Sequence, residues 1–293
     1  MSIFHYATST GDDADPARPR LTWGVDKTSN QQGVLVETIS RPGLPVYDYQ
    51  PGEGPALVLL HYWGGSARTW QQVIDLLPGR AIVSIDARGW RRSRGLPGPY
   101  TLEQLAQDVR DVITDADLED YILVGHSAGG KVAQLVAAAP PAGLAGLVLV
   151  ASVPSKPAAH ITPEFQEQLL HAYDSDEAVA AGRDHILTAT PLSDDIKAQI
   201  VADSLDVVPE ARDEWARHGI VQDITSQARA IKVPVVVIAG ENDRLEPEPV
   251  LRDNLLPYLA KADLRVIPRT GHLSPLEAPA DVARILQTAM PPA

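Results

Sequence analysis

Short apolar runs recur along the chain, separated by stretches of helical spacing. Ala56–Leu60, Ala81–Ile85, Tyr121–Val124, Leu144–Ala151, Val233–Ala239 and Leu264–Ile267 are mostly continuous rather than alternating. That is the pattern of strands buried on both faces. Gly33–Ile39 and Leu44–Tyr49 predict a strand pair ahead of them. Helices are predicted over Ser66–Leu77, Leu102–Ala116, Ala128–Ala139, Pro249–Ala260 and Pro279–Ala289. In the second of these, Leu102, Leu105, Ala106, Val109, Val112 and Ile113 share one face. Pro140 and Pro141 stop the third. Strands alternating with helices predict an α/β fold, a mostly parallel sheet with helices on both faces.

The rhythm breaks between two of these strands. Residues 155–228 read as helical throughout, over Pro163–Tyr173, Asp176–Thr188, Ser193–Ser204 and Glu210–His218. A helical block inserted there predicts a cap over the carboxyl ends of the strands, where ligands of such sheets bind. Residues 1–32 are polar and broken by Pro16 and Pro19, and read as an N-terminal extension. The expected organisation is therefore an extension (1–32), a core in two pieces (33–154 and 229–293) and a helical cap (155–228).

Composition narrows the chemistry. The 293 residues are 44% hydrophobic and 22% charged, a globular balance. There are no cysteines, which excludes disulfides, thiolate nucleophiles and cysteine-ligated metals. Twenty-five Lys and Arg face 38 Asp and Glu, for a formal net charge of -13. Such a chain is repelled by phosphate backbones, so no nucleic-acid partner is expected. No apolar run approaches the ~20 residues of a membrane helix. The start, Met1–Tyr6, lacks the basic and apolar regions of a secretory signal. A soluble, cytoplasmic protein with no membrane partner is the expectation, with a homo-oligomer left open. No pair of histidines has metal-ligand spacing, and no metal is expected.

The strand Tyr121–Val124 runs into Gly125-His126-Ser127-Ala128-Gly129-Gly130, and a helix follows. This is G-x-S-x-G in strand–turn–helix context, which lifts a serine hydroxyl above the sheet on a strained turn. The overlapping Gly125-x4-Gly130-Lys131 falls short of a phosphate-binding loop, because Val132 stands where Ser or Thr would hold magnesium. A nucleophilic serine needs a base and a carboxylate to orient it. His272, in Arg269-Thr270-Gly271-His272, follows the last strand and suits the base. Asp243, in Gly240-Glu241-Asn242-Asp243, follows the preceding strand and suits the acid, with Glu241 and Glu246 as competitors. Acyl transfer also needs two N–H donors for the developing oxyanion. The backbone of Ala128 supplies one, and that of Trp63, in the loop His61-Tyr62-Trp63-Gly64-Gly65-Ser66, is the candidate for the other. Tyr62, His126 and Trp90 flank these loops and are expected to contact a small-molecule substrate.

Taken together, these motifs resemble the α/β-hydrolase superfamily over roughly residues 33 to 290. The elbow, the Gly240–Asp243 loop, the Gly271-His272 pair and the His61–Ser66 loop fall in that family's order, and Asp86-Ala87-Arg88-Gly89 is similar to one of its structural turns. The resemblance implies a cofactor-independent Ser-His-Asp hydrolase of the capped, esterase-like branch. It leaves open perhydrolases (haloperoxidases), carbon–carbon bond hydrolases, oxygenases and ligand-binding receptors on the same fold. Two departures stand out. Tyr62 replaces the family's usual Gly after His61, and Arg91 replaces its usual Gly, making a basic run Arg88, Arg91, Arg92, Arg94. That run reads as a solvated loop or, alternatively, as a basic entrance for acidic substrates. Phe165, Tyr173 and Trp215 are expected in the core of the cap, and His160, His171, His185 and His218 on its surface. Glu277 reads as structural, and His61 as bonded within its own loop.

Overall fold

The computed structural model describes residues 24–29 and 33–288. Its strands are β1 (Gly24–Ser29), β2 (Leu35–Ser40), β3 (Tyr47–Gln50), β4 (Glu53–Leu60), β5 (Arg80–Ile85), β6 (Tyr121–His126), β7 (Leu144–Val150), β8 (Val235–Gly240) and β9 (Ala262–Ile267). Among the described residues they form one sheet in the order β1-β2-β3-β5-β4-β6-β7-β8-β9. β1, β2, β3 and β5 pair antiparallel, and the remaining pairs are parallel.

The helices are α1 (Gln71–Ile74), α2 (Leu102–Asp115), α3 (Ala128–Ala138), α4 (Pro163–Leu170), α5 (Asp176–Gly182), α6 (Asp194–Leu205), α7 (Pro209–Glu214), α8 (Thr225–Ala228), α9 (Glu248–Asn254), α10 (Ser274–Glu277) and α11 (Pro279–Thr288). None is long and apolar enough to cross a membrane. The helix predicted over Ser66–Leu77 is a 3-10 turn, Ala67–Trp70, capped by Ser66 and followed by α1 alone. α5 and α7 each end in a wider π-helical turn, Arg183–Leu187 and Trp215–Gly219.

The continuous apolar runs are explained by two cores, one on each face of the sheet. Along β4, Ala56, Val58 and Leu60 join one cluster while Leu57 and Leu59 join the other. β6 divides in the same way, Tyr121 and Leu123 against Ile122 and Val124. Because side chains alternate with period two, a strand covered on both faces must be apolar at every position.

One expectation is corrected. Gly24–Ser29, assigned to the extension, is the edge strand β1, paired with β2 from Gly24↔Ser40 to Ser29↔Leu35. All six residues are exposed, so their sequence carries no apolar alternation. The backbone ladder and a Lys27–Glu37 ion pair at 2.5 Å hold them. The other residues of that extension, 1–23 and 30–32, lie outside the described residues.

β4 is the pivot of the sheet. The chain leaves it toward β5 on one side and returns to β6 on the other. The loops after β4 and β6 therefore diverge at their carboxyl ends and leave a crevice, the position where open α/β sheets bind ligands. The helical insertion α4–α8 joins β7 to β8 and is bonded across this end. Ser204 Oγ donates to Gly64 O at 3.0 Å, and Val208 N to Gly89 O at 2.8 Å.

The basic run is partly solvated, with Arg92 and Arg94 exposed, but all four of its arginines are ion-paired. Arg88 forks onto the buried Asp108 at 2.7 and 2.6 Å and also donates to Pro97 O and Gly43 O. Arg92 pairs with Asp86 and Asp48. Arg91 reaches Asp203 and Asp206, and Arg94 reaches Asp206, both acids at the end of α6. The buried Asp203 also takes Ser66 Oγ at 2.8 Å and a guanidinium N–H of Arg68. Arg91 and Arg94 join the insertion to the loop after β5, while Arg88 and Arg92 tie that loop to α2 and the sheet. Their positive charge is balanced locally and leaves little field to steer an anion.

Candidate active site

Three loops at the carboxyl ends of β6, β8 and β9 bring Ser127, Asp243 and His272 together. Ser127 ends the β6 strand and caps α3 with φ 54° and ψ -116°. For a non-glycine residue this is strained backbone, held only because its surroundings over-determine it. The glycines beside it permit that turn. A Cβ on Gly125 would lie 2.5 Å from Gly129 O, and one on Gly129 would lie 2.4 Å from His61 O. Ser127 N donates to Val150 O, and Gly130 N back to Ser127 O, which closes the turn.

His272 bridges the other two groups. Its Nε2 lies 2.7 Å from Ser127 Oγ, and its Nδ1 lies 2.9 Å from Asp243 Oδ2. All three residues are buried. Asp243 Oδ1 accepts from the backbone N–H groups of Leu245 and Glu246 at 2.8 and 3.0 Å. Burial pushes the Asp243 carboxyl up, but the facing His272 and these hydrogen bonds outweigh it and hold the group below its usual range. Asp243 is therefore an anion that only accepts. The proton on the His272 ring then sits on Nδ1, and Nε2 of the neutral ring accepts the Ser127 O–H. Of the competing acids, Glu241 accepts from Arg269 N at 2.7 Å, and the carboxylate bonded to the His272 ring is that of Asp243.

The loop of His272 is clamped from two sides. His272 N and Leu273 N both donate to Leu187 O in the insertion. Glu277 collects N–H groups from Gly271, Ala189 and Thr190. The structural role read for Glu277 is a tie between the insertion and the loop carrying the imidazole.

The loop after β4 faces Ser127. His61 Nδ1–H donates to Tyr62 O at 2.7 Å, and His61 Nε2 accepts from Ala87 N at 3.0 Å. Trp90 Nε1 donates to Trp63 O, and Gly65 N to Tyr62 O. With its carbonyls engaged, the loop holds a fixed peptide orientation. Neither the Trp63 nor the Ala128 backbone N–H is spent on a protein acceptor among the described residues. Ala128 is the first residue of α3, at its positive end, and Trp63 shares a cavity wall with it.

Ser127 and His272 open into a cavity of about 470 Å³. A second cavity of about 680 Å³ adjoins it, the two sharing Tyr62, Trp63 and Trp215. Tyr62 lines both, and Trp90 and Ala128 line the larger. Phe165 and Tyr173 line the smaller one, where Tyr173 also packs on the Trp63 ring with centroids 4.4 Å apart. These insertion aromatics are thus cavity wall as well as core. Their helical spacing is the same for both roles, so the sequence could not separate them. His160 stands at the same cavity, while His171, His185 and His218 are exposed.

His126 needs correction as a substrate contact. It lines neither cavity and is fully buried among Tyr62, Trp70 and His272. Its Nε2–H donates to His272 O at 2.8 Å, so it braces the loop from behind. Burial first, and the neighbouring His272 second, drive its pKa down to about 3. Between about pH 6.5 and 3 the unfolded chain therefore binds a proton that the folded chain refuses, and stability falls as pH falls through that window. At about pH 4.5 this one group should cost roughly 3 kcal/mol. Urea unfolding at that pH and at neutral pH should show a smaller acid loss for His126→Gln than for wild type. An equal loss would contradict the account.

Residues 57–285 match the model of the alpha/beta hydrolase family. A protein of Variovorax paradoxus, provisionally named the carbamate hydrolase RutD, is 32% identical over 233 residues, covering 76% of this chain and 86% of that protein. A pimeloyl-[acyl-carrier protein] methyl ester esterase of Pseudoalteromonas atlantica is 28% identical over 207 residues, covering 67% and 79%. Among solved structures, a bromoperoxidase from Bacillus anthracis superposes with a TM-score of 0.76 at 16% identity, covering 91% of this chain and 99% of that one. The chain belongs to the alpha/beta hydrolase family.

Proposed function

We propose that the protein is a cofactor-independent serine hydrolase that cleaves carboxylic ester-like acyl bonds through an acyl-enzyme. One observation carries this reading: a His272 imidazole bonded through Nε2 to Ser127 Oγ and through Nδ1 to Asp243. Ser127 Oγ attacks the substrate carbonyl carbon while His272 Nε2 takes its proton. Asp243 holds the ring in the Nδ1–H tautomer and stabilises the imidazolium that forms. The Trp63 and Ala128 N–H groups receive the oxyanion. When the C–O bond breaks, His272 returns its proton to the leaving alcohol. Water, deprotonated by His272, then attacks the acyl-enzyme, and the acid departs as Ser127 recovers its proton. The helical insertion acts as the cap, its aromatics shaping the acyl cavity. The esterase and carbamate hydrolase names among the relatives support an acyl bond of this class.

A fluorophosphonate probe tests the covalent route. It should label the protein stoichiometrically at Ser127, as read by peptide mass, and labelling should abolish ester turnover. An unlabelled protein, or one that turns over esters after labelling, would count against it. Labelling without any turnover would point to a receptor that keeps the residues but not the reaction.

A further inference from the structure

The cavity holding Ser127 and His272 contains a carboxyl group that the chemistry above does not use. Glu246 is 3% exposed and lines this cavity. Its Oε2 is buried without a hydrogen-bond partner. Its side chain makes no ion pair among the described residues, the Lys131 amine being bonded instead to Ile220 O at 3.1 Å. Its own backbone N–H supports the Asp243 carboxylate. A second negative charge so close to Asp243 and away from water is strongly disfavoured, and burial first, then Asp243, raise the Glu246 pKa well above the usual carboxylate range against the weaker lowering pull of the Lys131 amine. The group is therefore a neutral acid with an O–H to donate. Trp63, another residue of this wall, likewise carries a buried donor without a partner, its Nε1. The remaining wall is largely apolar, including Val153, Phe165, Leu187 and Ile220.

A buried donor left unpaired is costly, and an unused one in an active-site cavity discriminates sharply for a ligand that satisfies it. We propose that Glu246 is a specificity-determining residue that selects acyl groups carrying an uncharged hydrogen-bond acceptor, such as a ketone or amide carbonyl, over plain alkyl chains. A cationic group is a poorer match, because an ammonium in this cavity would need an ionised partner and complete desolvation. The inference deepens the hydrolase reading, which supplies the choice of esters as probes.

The test separates the two ideas by measuring binding without turnover. In a Ser127→Ala background, methyl 5-oxohexanoate and methyl hexanoate are titrated while the fluorescence of the cavity tryptophans is followed. The keto ester should bind about tenfold more tightly. Glu246→Gln, which keeps an N–H donor, should retain most of that preference, and Glu246→Leu should abolish it by weakening the keto ester alone. Glu246→Leu should also melt at or above the wild-type temperature, since it removes an unsatisfied buried acid. Equal affinities, a preference that survives Glu246→Leu, or binding of neither ester up to millimolar concentration would overturn the proposal. A lower melting temperature with both esters weakened equally would assign Glu246 to structure instead. Turnover of the same esters by the Ser127 enzyme is read separately. Its absence with the binding preference intact would sink the hydrolase reading and leave this one standing.

Discussion

Ser127→Ala is expected to lower the turnover of p-nitrophenyl esters by roughly a millionfold, to the level left by binding and the oxyanion donors alone. The melting temperature should change little. Alanine inherits the same φ of 54°, and the only bond lost is that from the hydroxyl to His272 Nε2. The combination matters, since a large kinetic loss without a stability loss isolates the hydroxyl as a reacting group. Steady-state kinetics beside a thermal melt would decide it. Turnover within tenfold of wild type would end the covalent route. Activity that survives this change but disappears in His272→Ala would instead assign the reaction to the His272–Asp243 pair as a base, with Ser127 only binding.

Asp243→Asn is expected to cost about 10⁴ in kcat with little change in KM, by forcing the wrong tautomer. The neighbouring backbone determines how the new amide sits. Leu245 N and Glu246 N both donate to the Oδ1 position, so the asparagine oxygen must stay there. Its NH2 then occupies the Oδ2 position and donates to His272 Nδ1, 2.9 Å away in the parent. The ring proton moves to Nε2, and Ser127 loses its acceptor. Because the shape is conserved, the fold should survive. A loss smaller than tenfold at neutral pH would mean that Asp243 does not set the tautomer.

Electrostatics around the crevice show where sequence reasoning stops. Arg88, Arg91, Arg92 and Arg94 stand within seven residues, yet their partners are Asp48, Asp86, Asp108, Asp203 and Asp206, distributed over much of the chain. Nothing local marks those pairings. The same holds for His126, whose motif position suggests the site but whose ring points behind it to the carbonyl of His272, 146 residues away. Glu246 was visible only as a competitor for the role of Asp243. That its buried oxygen lacks a partner is not legible in the loop sequence.

What the sequence determined by itself is whatever local chemistry and period enforce. Doubly buried strands must be apolar without interruption, which exposes β4 to β8 to a reader of the sequence. A serine on a strained strand–helix turn needs glycines at fixed offsets, which exposes Ser127. Loops after strands necessarily lie at one end of a parallel sheet, which brings Asp243 and His272 under consideration. Tertiary structure alone decided the rest. It recruited Gly24–Ser29 to the sheet edge through backbone bonds that no side chain announces. It also set which buried polar groups find partners and which face the cavity, because burial and pairing depend on distances between segments remote in the chain.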